Sequence, residues 1–105
     1  MPDLKIASYN CKYFDNLQCK LDFMRNVFNS CGFLCIQEHW LFDTQFHRFD
    51  WLCDERVQFT ATSAMDTNVI KCGRPHGGTA IVWKCSISYK IEVIDTVSPR
   101  ISAIR

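Results

Sequence analysis

The sequence predicts an α/β domain that opens with a β-α-β unit, and three observations carry that expectation. A short run, Leu4 to Asn10, alternates as a strand does. A helical stripe follows it. Then Phe33-Leu34-Cys35-Ile36 runs without polarity into Gln37-Glu38-His39-Trp40. A buried strand that ends on a carboxylate is costly to build unless the charge is paired, protonated or bound to a metal.

In the first strand Leu4, Ile6 and Ser8 point one way and Lys5, Ala7 and Tyr9 the other. Apolar residues on both sides predict burial of most of both faces. Asp15-Asn16 offer helix caps, and Leu17, Leu21, Met24, Phe28 and Cys31 then recur on one helical face. Gln18, Asp22, Arg25, Asn26 and Asn29 fall on the wet side, and Gly32 is placed to end the helix. Phe33–Gln37 is the second strand. A helical crossover makes the two strands parallel and right-handed, so Asn10 and Glu38 converge on one carboxyl edge. Open α/β sheets place ligands there.

Beyond Glu38 comes an aromatic connection, Trp40, Leu41, Phe42, Phe46, Phe49, Trp51 and Leu52, with a short helix expected around Thr44–Leu52. These rings read as core filling beneath a loop, with base stacking as the alternative. Val57–Ala64 reads as a strand with Val57, Phe59 and Ala61 on one side, and Met65–Asn68 as a loop. Gly73-Arg74-Pro75-His76-Gly77-Gly78 matches neither a Walker loop nor a dinucleotide fingerprint, and reads as a tight turn into a strand at Thr79–Lys84. Arg74 and His76 in such a loop could meet phosphate. Ile87–Ile94 and Ile101–Ile104 are two further strand-like runs, separated by Ser98-Pro99.

The totals bound the function. The chain has 105 residues, 48% of them hydrophobic, which predicts one small packed domain and excludes disorder. No apolar run reaches the roughly 20 residues that span a bilayer. The N-terminus lacks a signal peptide's basic start and apolar run, so an intracellular protein, nuclear or cytoplasmic, is expected. Seven cysteines without a Cys-x-x-Cys pair read as reduced, small apolar residues. Cys31, Cys35, His39 and His47 could be drawn together around zinc, but their spacing is unusual for a structural site. A free-standing thiol or redox protein is a further alternative, ranked last for want of a Cys-x-x-Cys motif. Net charge is +1, divided as −3 over residues 1–66 and +4 over 67–105. A basic last third can face phosphates or simply water.

Three stretches, in order, carry a resemblance: Ile6-Ala7-Ser8-Tyr9-Asn10, Cys35-Ile36-Gln37-Glu38-His39-Trp40, and Gly73 through Lys84. Together they resemble the N-terminal half of the endonuclease/exonuclease/phosphatase superfamily, which includes apurinic endonucleases, deoxyribonuclease I and inositol polyphosphate phosphatases. The Gly-Arg-x-x-Gly-Gly-x-Ala-Ile stretch looks most like the endonuclease domain of LINE-type retrotransposons. The resemblance implies a four-layered α/β sandwich, two mixed sheets flanked by helices, of which residues 1–105 are the first half. It implies that Glu38 ligates a catalytic Mg2+ (Mn2+ being a possible substitute) and that Asn10 lies beside it as a catalytic, phosphate-binding residue.

The activity so implied is magnesium-dependent hydrolysis of phosphodiester bonds in DNA. The family completes its site with a later Asp-x-Asn strand, a Tyr-bearing strand and an Asp-His pair, none of which follows residue 84. The 105 residues are therefore expected to be inactive alone, marginally stable and dependent on a partner. A degenerate retrotransposon-derived fragment with at most a binding role, and a phosphoinositide phosphatase-like hydrolase, stand as alternatives.

Overall fold

The computed structural model of the protein describes residues 5–54, 56–64, 77–86, 91–94 and 102–105. The elements run β1 (Lys5–Asn10), α1 (Gln18–Cys31), β2 (Gly32–Gln37), a 3-10 helix (Asp43–Leu52), β3 (Val57–Thr62), β4 (Thr79–Lys84), β5 (Val93–Ile94) and β6 (Ala103–Ile104). Strands β1 to β4 form one mixed sheet in the order β1-β2-β4-β3, and β5 pairs with β6 in a separate two-stranded ribbon. The expected β-α-β unit is present: β1 and β2 are parallel, with Lys5 opposite Gly32 and Asn10 opposite Gln37. The β2–β4 and β3–β4 pairs are antiparallel.

Helix α1 forms where the apolar stripe predicts it. Met24 and Phe28 are its buried anchors. Gly32 ends it with φ 83°, and its N–H reaches the Phe28 carbonyl. A side chain there would meet nothing within 4 Å, so backbone conformation alone selects glycine. The start differs from expectation. Leu17 is the cap residue and no side chain caps the helix, because the Asp15 carboxylate instead accepts the Leu17 N–H at 3.0 Å.

Helix α1 and the 3-10 helix lie against the sheet face that carries Ala7, Tyr9, Leu34, Ile36, Phe59, Ala61, Ala80 and Val82. Between them the core closes over Phe14, Phe28, Leu41, Phe49 and Leu52, all about 1% exposed or less. Of the connection rings, Phe49 lies in this core and Phe46 and Trp51 pack against it, whereas Phe42 and Trp40 stay outside. Phe49 meets Phe14 edge-on at 5.1 Å and Phe59 at 5.3 Å, and Phe46 stacks beside it at 5.9 Å. Burying rings of this size is worth about 1.5–3 kcal/mol each relative to exposure.

The other sheet face bears Ile6, Ser8, Asn10, Phe33, Cys35, Gln37, Thr79, Ile81 and Trp83. Phe33 and Trp83, opposite each other, are buried there. Ile6 is 62% exposed, so β1 is not buried on both faces as its composition predicts. The reason lies in the packing: α1 covers only one face of β1, and Ile6 is on the other. The Ser102 hydroxyl joins this second face through the Thr79 hydroxyl (2.9 Å) and carbonyl (3.2 Å).

Strand β3 carries Val57, Phe59 and Ala61 on one side, as expected, and stops at Thr62. The last strands are short, two residues each, extended by reciprocal backbone hydrogen bonds between Glu92 and Arg105. The expectations at Leu4, Met65–Asn68, Gly73–His76, Ile87–Lys90, Ser98-Pro99 and Ile101 lie outside the described residues. Among the described residues no helix is long and apolar enough to cross a membrane.

Candidate functional site

Three segments meet at the carboxyl edge of β1 and β2. The chain leaving β1 donates from Cys11, Tyr13 and Phe14 to the carbonyls of Gln37, Glu38 and His39, at 3.0, 2.8 and 2.8 Å. The chain leaving β2 donates from Glu38 and Trp40 to the carbonyls of Gly78 and Gly77, at 2.9 and 3.0 Å. The segment after β2 is thus held from both sides, by the loop after β1 and by the residues that open β4.

The backbone here is strained. Lys12, Tyr13, Glu38 and Trp40 are the described non-glycine residues with positive φ, at 44°, 85°, 59° and 57°. Each such residue costs on the order of 1–2 kcal/mol. All four belong to the two loops that cross at this edge. Strain of this kind persists only where the surroundings over-determine it, and it clusters at ligand sites.

Glu38 and Asn10 are placed as expected. Asn10 ends β1 opposite Gln37 and is exposed; Glu38 is the next residue after Gln37 and is partly exposed. The Trp40 indole N–H donates to one Glu38 carboxylate oxygen at 2.8 Å, and the Trp40 ring stacks on Tyr13 with centroids 6.1 Å apart and planes 18° apart. Behind Asn10, the Gln37 amide donates to the Ser8 hydroxyl at 3.0 Å. The Lys20 ammonium closes the far side, donating to the carbonyls of Lys12 at 3.2 Å and Tyr13 at 2.6 Å.

His39 faces the opposite way. It is fully buried, its Nδ1 accepts the Leu41 N–H at 2.9 Å, and its Nε2 bonds the Thr62 carbonyl at 2.8 Å. Because a backbone N–H must donate, the ring is the neutral tautomer with hydrogen on Nε2. Burial lowers its pKa, against the smaller opposing effects of the Thr62 and Thr79 backbone. The ring lies so close to Gly78 that a Cβ at that position would collide with it. His39 therefore fixes the shape of the site from beneath. With both nitrogens occupied, it is no free ligand for the zinc set drawn from Cys31, Cys35, His39 and His47.

Cys11, also buried, donates to the Glu38 carbonyl at 3.5 Å. Desolvation raises its pKa to about 11, against the opposing charge of Lys20. Such a thiol is a poor nucleophile at neutral pH. The six described cysteines, at 11, 19, 31, 35, 53 and 85, are free thiols.

For a metal, the site offers oxygen donors that suit a hard cation: the Glu38 oxygen not bonded to Trp40, with the Asn10 amide at the same edge. No cluster of three or more His, Cys, Asp or Glu that could hold a metal ion occurs among the described residues. One carboxylate with water makes a weak site. Arg74 and His76 lie outside the described residues.

A surface hollow of about 540 Å³ between the 3-10 helix and β3, lined by Asp43, His47, Asp50 and Arg56 among others, includes neither Asn10 nor Glu38. Tyr13 and Lys20 join the edge with no motif in the sequence to mark them, and Trp40, expected in the aromatic connection, bonds Glu38 there. The available signal was the tryptophan two residues after the carboxylate. Comparisons with family models, curated proteins and solved structures return no match for this chain.

Proposed function

We propose that these residues are the N-terminal part of a magnesium-dependent phosphodiesterase of the endonuclease/exonuclease/phosphatase type, acting on DNA. The observation that carries the reading is Glu38: a left-handed, non-glycine residue at the carboxyl end of a central strand, beside Asn10, with its carboxylate oriented by Trp40. Glu38 would hold Mg2+ (or Mn2+) through its remaining oxygen, and the metal would supply charge neutralisation at a phosphoryl oxygen. Asn10 would hydrogen-bond a phosphate oxygen without adding negative charge. The Trp40 indole fixes which carboxylate oxygen faces the ligand.

A four-layered sandwich fits the same reading. On the face opposite α1, Phe33 and Trp83 are already buried, while Ile6 is exposed and Ile81 partly so, a surface suited to a second sheet, and Ser102 beside the β5–β6 ribbon bonds that face at Thr79. Within these 105 residues no Asp-x-Asn or Asp-His element follows residue 84, so the general base is not supplied here. The chain alone is expected to bind divalent metal weakly and not to cut.

Calorimetric titration with Mg2+ and Mn2+, run beside a supercoiled-plasmid nicking assay, tests this. Weak binding that is lost in Glu38→Gln, with no nicking, is the expected pair of results. Binding unaffected by Glu38→Gln contradicts the metal assignment. Robust nicking abolished by Glu38→Ala contradicts the incomplete site.

A further inference from the structure

We infer that Tyr13, Trp40 and Arg48, with Lys12 and Lys20 along their margin, form a docking strip for a single nucleic-acid strand, whose rings take an unpaired base and whose cations take the flanking phosphates. The inference deepens the proposed function by naming how the substrate strand is held beside Glu38.

Trp40 lies outside the core cluster, Tyr13 packs against its margin, and both rings remain partly exposed. Both sit on positive-φ backbone, so the chain bears strain at each to hold them where they are. Their planes lie 18° apart. Their polar tips are already engaged: the Trp40 N–H on Glu38 at 2.8 Å, and the Tyr13 hydroxyl accepting from Arg48 at 3.4 Å. What such a pair has left to offer is ring face, which accepts any base.

The cations line the same strip. Arg48 reaches from Tyr13 to the Trp51 ring, 5.7 Å from its centroid. Lys20 is anchored by the neutral carbonyls of Lys12 and Tyr13, so its charge is not cancelled by those contacts. Lys12 is exposed. Against these three cations stand Glu38 and Asp15, both near enough to Cys11 to act on its thiol. A basic margin with stacked rings at its centre fits a strand of alternating phosphate and base.

The test uses the full chain in EDTA, so that metal plays no part, with a fluorescein-labelled oligothymidylate of about twelve nucleotides. The parent is expected to bind, with log affinity falling against log salt at a slope of about −2 for three phosphate contacts. Tyr13→Leu and Trp40→Leu should each weaken binding at least about fivefold with the slope unchanged. Arg48→Gln should flatten the slope by about 0.7. Glu38→Gln should lose the metal titration, whereas Arg48→Gln should keep it. The strand and metal readings thus fail separately.

No binding by the parent overturns the inference. So do ring variants that keep the parent's circular dichroism and its affinity, or an Arg48→Gln slope equal to the parent's. A blunt duplex that competes better than the single strand overturns the choice of ligand. Should Trp40→Leu not fold, Tyr13→Leu and Arg48→Gln decide the question.

Discussion

Strand β2 has a left-handed residue at each end, and the two are unlike. At its start Gly32 takes φ 83° with nothing within 4 Å of where a side chain would be; just past its end Glu38 takes φ 59°. Glycine adopts this conformation at no steric cost, whereas glutamate costs on the order of 1–2 kcal/mol. The first end closes a helix and is settled by folding alone. At the second, folding alone would also favour glycine, and the sequence places a carboxylate there. That contrast is the physical reason to read the carboxyl edge as a site, and it runs from an observed outlier to a function.

The comparison can be broken by substitution. The largest effect is expected at Gly78, whose carbonyl holds Glu38 and whose missing Cβ makes room for the His39 ring. Gly78→Ala should destabilise by about 3 kcal/mol or more, since it combines a core clash with a φ of 93°. Urea denaturation followed by circular dichroism measures it; a loss under about 1 kcal/mol would show that the edge is looser than described.

Acid should act on the same support. The His39 pKa is lowered by burial, so the folded state disfavours the charged ring and the unfolded chain takes up the proton first. Its stabilising contribution is complete above the unfolded value of about 6.5 and is lost as pH falls through the lower folded value. The steepest possible loss is about 1.4 kcal/mol per pH unit. Urea midpoints measured on either side of pH 6.5 should therefore fall with acid. A midpoint that does not move would mean that His39 is not held neutral.

Smaller effects separate the two ends of β2 directly. Gly32→Ala should cost about 1 kcal/mol through backbone conformation alone. At the other end the order reverses: Glu38→Gly should be more stable than Glu38→Ala by about 1 kcal/mol, while neither variant retains the metal titration. Equal stability of the two Glu38 variants, again by urea denaturation, would remove the strain argument.

Much of this was legible because it is local. The stripe through Met24 and Phe28 and the glycine at 32 define α1 and its end. The crossover then dictates that Asn10 and Glu38 share an edge, as the register of Asn10 opposite Gln37 shows. Other features depend on partners far along the chain. Glu38 and Trp40 are left-handed because the carbonyls of Gly78 and Gly77 and the loop at Tyr13 hold them, and periodicity carries no sign of such crossings. The exposure of Ile6 is hidden for a related reason: apolar residues on both sides of a strand do not say which face another layer will cover. Asp15 read as a helix cap because the residue type fits, yet it closes a turn onto Leu17 instead.

The most direct test of the carboxyl edge is paramagnetic. Substoichiometric Mn2+ added to the ¹⁵N-labelled chain should broaden first the amides of Asn10, Glu38 and Trp40 and the Trp40 indole resonance, and Glu38→Gln should abolish that broadening. Broadening centred instead on Asp43 and Asp50, or unchanged in Glu38→Gln, would contradict the assignment of Glu38 as the metal-binding carboxylate.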